Sequence, residues 1–270
     1  MTPSTSDRPP MISPPPDRPL LQASQLYKSF GGIRAVNGAN IEVRSGSITG
    51  LIGPNGAGKT TLFNLLSNFI QPDRGEVFLD GQPIHNLSSH QIARRGMVRT
   101  FQVARVLSRL SVLENMLLAA QNQSGERFWE VWTQAGRIAR QQRELELRAM
   151  SILEAVGLAH MAREYAGSLS GGQRKLLEMG RALMLQPKLI LLDEPAAGVN
   201  PALIDQICEQ IQAWNQEGLT FLIVEHNMDV IMSLCDRVWV LAEGQNLADG
   251  SPEMIQTDSR VLEAYLGQAA

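Results

Sequence analysis

From residue 20 onward the chain alternates between two hydrophobic rhythms. Short runs that are apolar at nearly every position occur at 48–52, 189–192, 219–224 and 237–241. A strand buried on one face alternates apolar and polar residues, so unbroken runs of this length predict parallel strands covered on both faces. Between them, 61–66, 174–185, 201–214 and 227–234 carry helical periodicity. Shorter strands are expected at 33–36, 39–43 and 77–79, punctuated by turns at Gly31-Gly32, Ser45-Gly46 and Asp80-Gly81. Strand–helix alternation of this kind predicts an α/β fold built on a parallel sheet. The stretch from about 111 to 182 is mainly helical, with helices expected at 113–121 and 126–156 and a favourable i,i+4 pair at Glu144 and Arg148. It reads as a helical insertion. No internal repeat is found.

The first nineteen residues do not share these rhythms. Seven of the fourteen prolines lie there, with few apolar anchors, so 1–19 reads as a disordered tail and 20–270 as one folded domain.

Candidate chemistry begins at Gly53-Pro54-Asn55-Gly56-Ala57-Gly58-Lys59-Thr60-Thr61. This matches G-x-x-x-x-G-K-[ST] without a mismatch, between an apolar strand and a helix, which is the context the motif needs. Glycines let backbone N–H groups approach phosphate oxygens, and the helix turns its positive end toward the anion. Lys59 is expected on the β/γ-phosphates of a nucleotide and the Thr60 hydroxyl on Mg²⁺. A second element, 189–194, drives Asp193 and Glu194 out of the end of a buried strand, the edge where open α/β sheets bind ligands. Asp193 is expected to hold Mg²⁺, directly or through water, and Glu194 to polarise an attacking water. These two elements alone are shared by kinases, GTPases and motors.

Leu169-Ser170-Gly171-Gly172-Gln173 narrows the class. Ser-Gly-Gly opening a helix makes a second anion site from free N–H groups and a hydroxyl. With this pentapeptide about twenty residues before the carboxylate strand, the chain resembles the nucleotide-binding subunits of ATP-binding-cassette (ABC) proteins over residues 20–268. The resemblance implies a P-loop NTPase (RecA-like) core at 20–102 and 175–250, with an N-terminal antiparallel β-subdomain, an inserted helical subdomain at 103–174 and a short tail at 251–270. It implies that ATP and Mg²⁺ are bound. Gln102 matches the glutamine that senses Mg²⁺ and the water site. His226 matches the switch histidine on the γ-phosphate. Phe30 fits the aromatic that stacks on adenine, with Tyr27 a nearby competitor. Two cassettes, identical or paralogous, would pack head to tail so that Ser170, Gly171, Gly172 and Gln173 cap the γ-phosphate held by the partner. Many ABC subunits carry Asp where this chain has Asn200; Asn keeps the hydrogen-bonding shape and loses the charge.

Within the ABC proteins, Asp193-Glu-Pro-Ala-Ala-Gly-Val-Asn-Pro201, the ending at 261–267 and an extra helical stretch at 128–150 resemble the ATP-binding subunits of branched-chain (hydrophobic) amino-acid importers. That resemblance implies two integral membrane permease subunits as partners, a substrate-binding protein acting through them, and a peripheral place on the cytoplasmic face of the inner membrane. The 128–150 stretch clusters Phe128, Trp129 and Trp132 before Arg137, Arg140 and Arg143. It reads either as a contact for a membrane subunit or lipid headgroups, or as a helix with a solvated basic face.

Composition then removes competitors. Net charge −3 excludes a strongly basic coat for nucleic acid, and no nucleic-acid partner is expected. Two cysteines in no CxxC pattern give neither a disulfide framework nor a thiolate metal site. No apolar run reaches the roughly 18–20 residues that span a bilayer. Lipid or lipopolysaccharide export ATPases are similar here but lack the 128–150 stretch. Repair-type relatives carry a long coiled coil, and no sustained heptads occur in this chain. Glu194 and His226 together speak against a regulator without turnover.

Overall fold

The computed structural model describes residues 18–100, 106–120 and 135–266. Two sheets frame the core. The first is antiparallel, in the order β2-β1-β4-β5, from β1 (Pro19–Phe30), β2 (Ile33–Arg44), β4 (Arg74–Leu79) and β5 (Gln82–Pro83). The second has the order β10-β9-β3-β8-β7-β6, from β3 (Ile48–Ile52), β6 (Met97–Arg99), β7 (Leu189–Asp193), β8 (Thr220–Val224), β9 (Arg237–Ala242) and β10 (Gln245–Gly250). All its pairs are parallel except β10 with β9. This is the α/β architecture the alternation predicts, with the antiparallel subdomain the resemblance implies.

The unbroken apolar runs have a direct explanation. Ile190, Leu192, Phe221, Ile223, Val238 and Val240 face one hydrophobic core, while Leu189, Leu191, Leu222, Val224, Trp239 and Leu241 face another. Alternate side chains leave opposite faces of a strand, so both sets must be apolar when both faces are covered. The first core is closed by helices α3 (Val112–Leu117), α4 (Ala135–Ala155), α5 (Gly171–Met184), α6 (Pro201–Gln216) and α7 (Met228–Leu234). The second is closed by α1 (Lys59–Leu66), α2 (Ser89–Arg94) and the antiparallel sheet. Helices α8 (Pro252–Thr257) and α9 (Ser259–Leu266) end the described chain.

Several elements differ from the sequence expectation. The strands expected at 33–36 and 39–43 are one strand, β2, running through Gly38. β1 was hidden because Gln25 takes a left-handed backbone and the register slips between Ala23 and Tyr27, which breaks the alternation. Helix α5 starts at Gly171 rather than Arg174, because Ser170 and Gln173 form a reciprocal capping box. Arg148 donates to the Leu183 carbonyl at 2.7 Å, tying α4 to α5, and no ion pair to Glu144 is found among the described residues. The tail up to residue 17 and the segment 121–134, with Phe128, Trp129 and Trp132, lie outside the described residues. Arg140 and Arg143 are exposed.

Candidate functional site

Register brings the candidate residues to one edge. β7 pairs Asp193 with Val224 of β8, β8 pairs Val224 with Leu51 of β3, and β3 pairs Ile52 with Val240 of β9. The loop after Ile52, the acids after Leu192 and His226 after Val224 therefore leave the sheet side by side at its carboxyl edge.

The phosphate loop, 53–58, joins β3 to α1. Two of its glycines are dictated by backbone contact. A Cβ on Gly53 would lie 2.0 Å from the Leu241 carbonyl oxygen, and one on Gly58 would lie 2.2 Å from that of Ala35. Gly58 also has φ +95° as the residue before the helix. Gly56, Asn55 and Thr60 are exposed, while Gly53, Pro54, Ala57 and Lys59 are buried and Thr61 is half-buried. The Lys59 ammonium donates to the carbonyls of Gly53 at 2.7 Å and Pro54 at 2.9 Å. Burial pushes its pKa down, and the nearby charge of Glu194 opposes this.

Asp193 and Glu194 occupy different settings. Burial pushes the Asp193 carboxyl up, against the hydrogen bond and charge of Arg99, whose Nη2 lies 3.1 Å from Oδ2. Glu194 adopts φ +49°, a left-handed backbone that costs a non-glycine residue about 1–2 kcal/mol. That strain is held from both sides: the Glu194 N–H donates to the Val224 carbonyl at 2.9 Å, and Lys175 of α5 donates to the Glu194 carbonyl at 2.9 Å. The side chain meets Nε2 of His226 at 2.9 Å. Oxygen donors such as Asp193 and the exposed Thr60 hydroxyl suit Mg²⁺, which takes few protein ligands and completes its shell with phosphates and water. Among the described residues no group of three His, Cys, Asp or Glu side chains has metal-holding geometry. Gln102, the third expected Mg²⁺ contact, lies outside the described residues.

Phe30 is 50% exposed at the tip of the β1–β2 hairpin, and Lys28 lies over its ring at 5.7 Å. Ala35 of the same hairpin abuts Gly58, which brings β2 against the phosphate loop. Tyr27 is instead half-buried and its hydroxyl donates to Gln25 Oε1 at 3.2 Å, so Phe30 is the more exposed of the two rings. At the start of α5, Ser170 and Gly171 are exposed and Gln173 is half-buried, while Gly172 is buried. A Cβ on Gly172 would lie 1.9 Å from Leu203 Cδ2, so its missing side chain also serves the packing of α5 on α6. Asn200 caps α6 by accepting from the Leu203 N–H at 2.9 Å, a role that needs shape and not charge.

Lys175 and Arg99, which hold Glu194 and Asp193, were not among the sequence candidates, and neither were two further supporting residues. Glu225, 3% exposed, accepts from the backbone N–H groups of Ala196 at 2.7 Å, His226 at 2.9 Å and Asn227 at 3.3 Å. It ties the loop after Glu194 to the His226 loop, and an acid directly after an apolar strand was its signal. Tyr265 of α9 is the other. Burial pushes its phenol up, and the nearby backbone of Gly53 opposes this. The C-terminal tail therefore reaches the phosphate loop.

Comparison with known proteins bears on the family and the fold. Residues 36–197 match the family described as ABC transporter, and residues 245–270 match the family described as branched-chain amino acid ATP-binding cassette transporter. The chain is 44% identical, over 92% of its length and 95% of the relative's, to a probable branched-chain amino acid transport ATP-binding protein, LivG, of Archaeoglobus fulgidus. It is 42% identical, over 93% of its length and 99% of the relative's, to the high-affinity branched-chain amino acid transport ATP-binding protein BraF of Pseudomonas aeruginosa. Among solved structures, an ATP-binding cassette of an ABC transporter in its ADP conformation superimposes with a TM-score of 0.80 at 37% identity, covering 93% of this chain and 99% of that one.

Proposed function

Since this chain belongs to the ABC transporter family, as one of its ATP-binding cassettes, we propose that it is the ATP-hydrolysing subunit of an importer of branched-chain and other neutral amino acids. The observation that carries the hydrolytic part is the shared carboxyl edge: a phosphate loop, a carboxylate pair and a histidine leave adjacent strands together. The relatives' names and the match at 245–270 support the amino-acid part.

The reaction proposed is in-line attack of water on the γ-phosphorus of ATP, giving ADP and phosphate. Glu194 takes the proton of the attacking water at its side-chain oxygen. His226, bonded to Glu194, orients that oxygen and contacts the γ-phosphate. Lys59 and the N–H groups of the 53–61 loop hold the β- and γ-phosphates, and Phe30 supports the adenine ring. Thr60, Asp193 and Gln102 hold Mg²⁺, which supplies charge neutralisation to the transferring phosphoryl group. Ser170, Gly171, Gly172 and Gln173 act on the nucleotide of a second cassette packed head to tail. Such a dimer closes on ATP and reopens after hydrolysis.

Two permease subunits carry that motion across the membrane, and a substrate-binding protein delivers the amino acid to them. No described helix is long and apolar enough to cross a membrane, in keeping with a peripheral subunit at the cytoplasmic face. The test is uptake of labelled leucine, isoleucine and valine by cells whose only copy of the gene carries Glu194→Gln. Uptake falls to the level of a gene deletion if the reading is right. Unchanged uptake with disturbed lipid export would support the export alternative instead.

A further inference from the structure

One charged side chain at the site has no role in the scheme above. Arg99 ends β6 and is largely buried, with 15% of its side chain exposed. Its guanidinium makes a fork. Nη2 donates to Oδ2 of Asp193 at 3.1 Å. Nη1 donates to Oδ1 of Asn64 at 2.6 Å and to Oγ of Ser67 at 2.9 Å, on the last turn of α1 and its cap. Cζ of the guanidinium lies over the ring of Phe63, 4.6 Å from its centroid, with the Phe69 centroid at 5.7 Å. The helix that opens at the phosphate loop thus grips one arm of the arginine, and the other arm grips the carboxylate.

Burying such a pair costs several kcal/mol per ion in desolvation, so stability alone is a poor reason for it. Positioning is a better one. A carboxylate that binds a metal is oriented by its outer hydrogen-bond partners. With Oδ2 committed to Arg99, the direction of Oδ1 is set. We propose that Arg99 is a positioning residue for the metal-binding carboxylate, fixing Asp193 to the helix of the phosphate loop so that the carboxylate and the loop present oxygen donors to Mg²⁺ as one rigid unit. This inference rests on the reading of Asp193 as a Mg²⁺ ligand. Lysine would not replace the arginine, because a single ammonium cannot reach both Asp193 and the Asn64–Ser67 pair while its charge sits over Phe63.

The experiment is an equilibrium titration of the full chain with a fluorescent N-methylanthraniloyl ATP, first in EDTA and then with Mg²⁺ added, for wild type, Arg99→Met and Arg99→Lys. Wild type binds the nucleotide more tightly as Mg²⁺ is added. Arg99→Met keeps its EDTA affinity within about twofold, while half-saturation by Mg²⁺ moves up roughly 10- to 100-fold. Arg99→Lys falls between them. A residue that only held the fold together would lower the melting temperature and weaken both affinities alike. Mg²⁺ half-saturation equal to wild type in both variants overturns the role of Arg99 and leaves the Asp193 reading standing. If Arg99→Met does not fold, Arg99→Lys decides: a wild-type Mg²⁺ response there overturns the proposal. Absence of any Mg²⁺ effect in wild type overturns the Asp193 reading and this inference with it.

Discussion

Nε2 of His226 stands 2.9 Å from Oε1 of Glu194, at the ends of adjacent parallel strands. The left-handed backbone of Glu194 aims the carboxylate there, and the Val224 carbonyl and Lys175 hold that backbone in place.

The two side chains therefore act as a unit. His226→Ala and Glu194→Gln each lower phosphate release by roughly 10²–10⁴-fold, and the double variant is little worse than the more damaged single one. Single-turnover phosphate release across the four proteins checks this. Losses that multiply would show that the two groups act separately.

Gly58→Ala places a methyl 2.2 Å from the Ala35 carbonyl oxygen in a left-handed residue. Gly56→Ala adds only the left-handed strain, about 1–2 kcal/mol, because no atom lies within 4 Å of its Cβ position. Urea denaturation should give a clearly larger loss of stability for Gly58→Ala. Equal losses would mean that β2 yields to the loop freely.

The strand runs, the phosphate loop and the carboxylate pair were legible because each rests on local pattern: β7 must be apolar throughout when both faces are covered, and Lys59 must follow its glycines. What was not legible depends on partners distant in sequence. Arg99 means nothing until β6 lies beside β7 and α1 turns Asn64 toward it. The role of Glu225 depends on Ala196, 29 residues away in sequence, whose N–H lies 2.7 Å from its carboxylate. β1 escaped because its slip at Gln25 destroys the alternation that marks a strand. Gly172 was read for phosphate approach, and its contact with Leu203 adds a packing reason that no spacing could reveal.

Glu225→Gln turns one of the two acceptor oxygens into an NH2, so either the Ala196 N–H on Oε1 or the His226 and Asn227 N–H groups on Oε2 lose their acceptor. It should cost about 1–3 kcal/mol of stability and speed hydrogen exchange at the Ala196 amide or at the His226 and Asn227 amides. Unchanged exchange there would show that the two loops are held by other contacts.

Burial pushes the Cys235 thiol from its ordinary 9.0 up to about 12. The folded chain keeps this proton where the unfolded chain has lost it, so the contribution is full below about pH 9 and falls as pH rises toward the folded value. Denaturation midpoints at about pH 8 and about pH 10 should separate more for wild type than for Cys235→Ala. Equal separations would show that the thiol ionises freely in the folded chain.

As the proposed base, Glu194 serves an ATP hydrolysis site that should bind nucleotide without it. The most direct test measures ATP affinity and steady-state phosphate release on the same preparations of wild type and Glu194→Gln, with Mg²⁺ present. The variant should bind ATP equally well or more tightly, with phosphate release lower by at least roughly a hundredfold. Phosphate release at the wild-type rate in Glu194→Gln would contradict that role of Glu194.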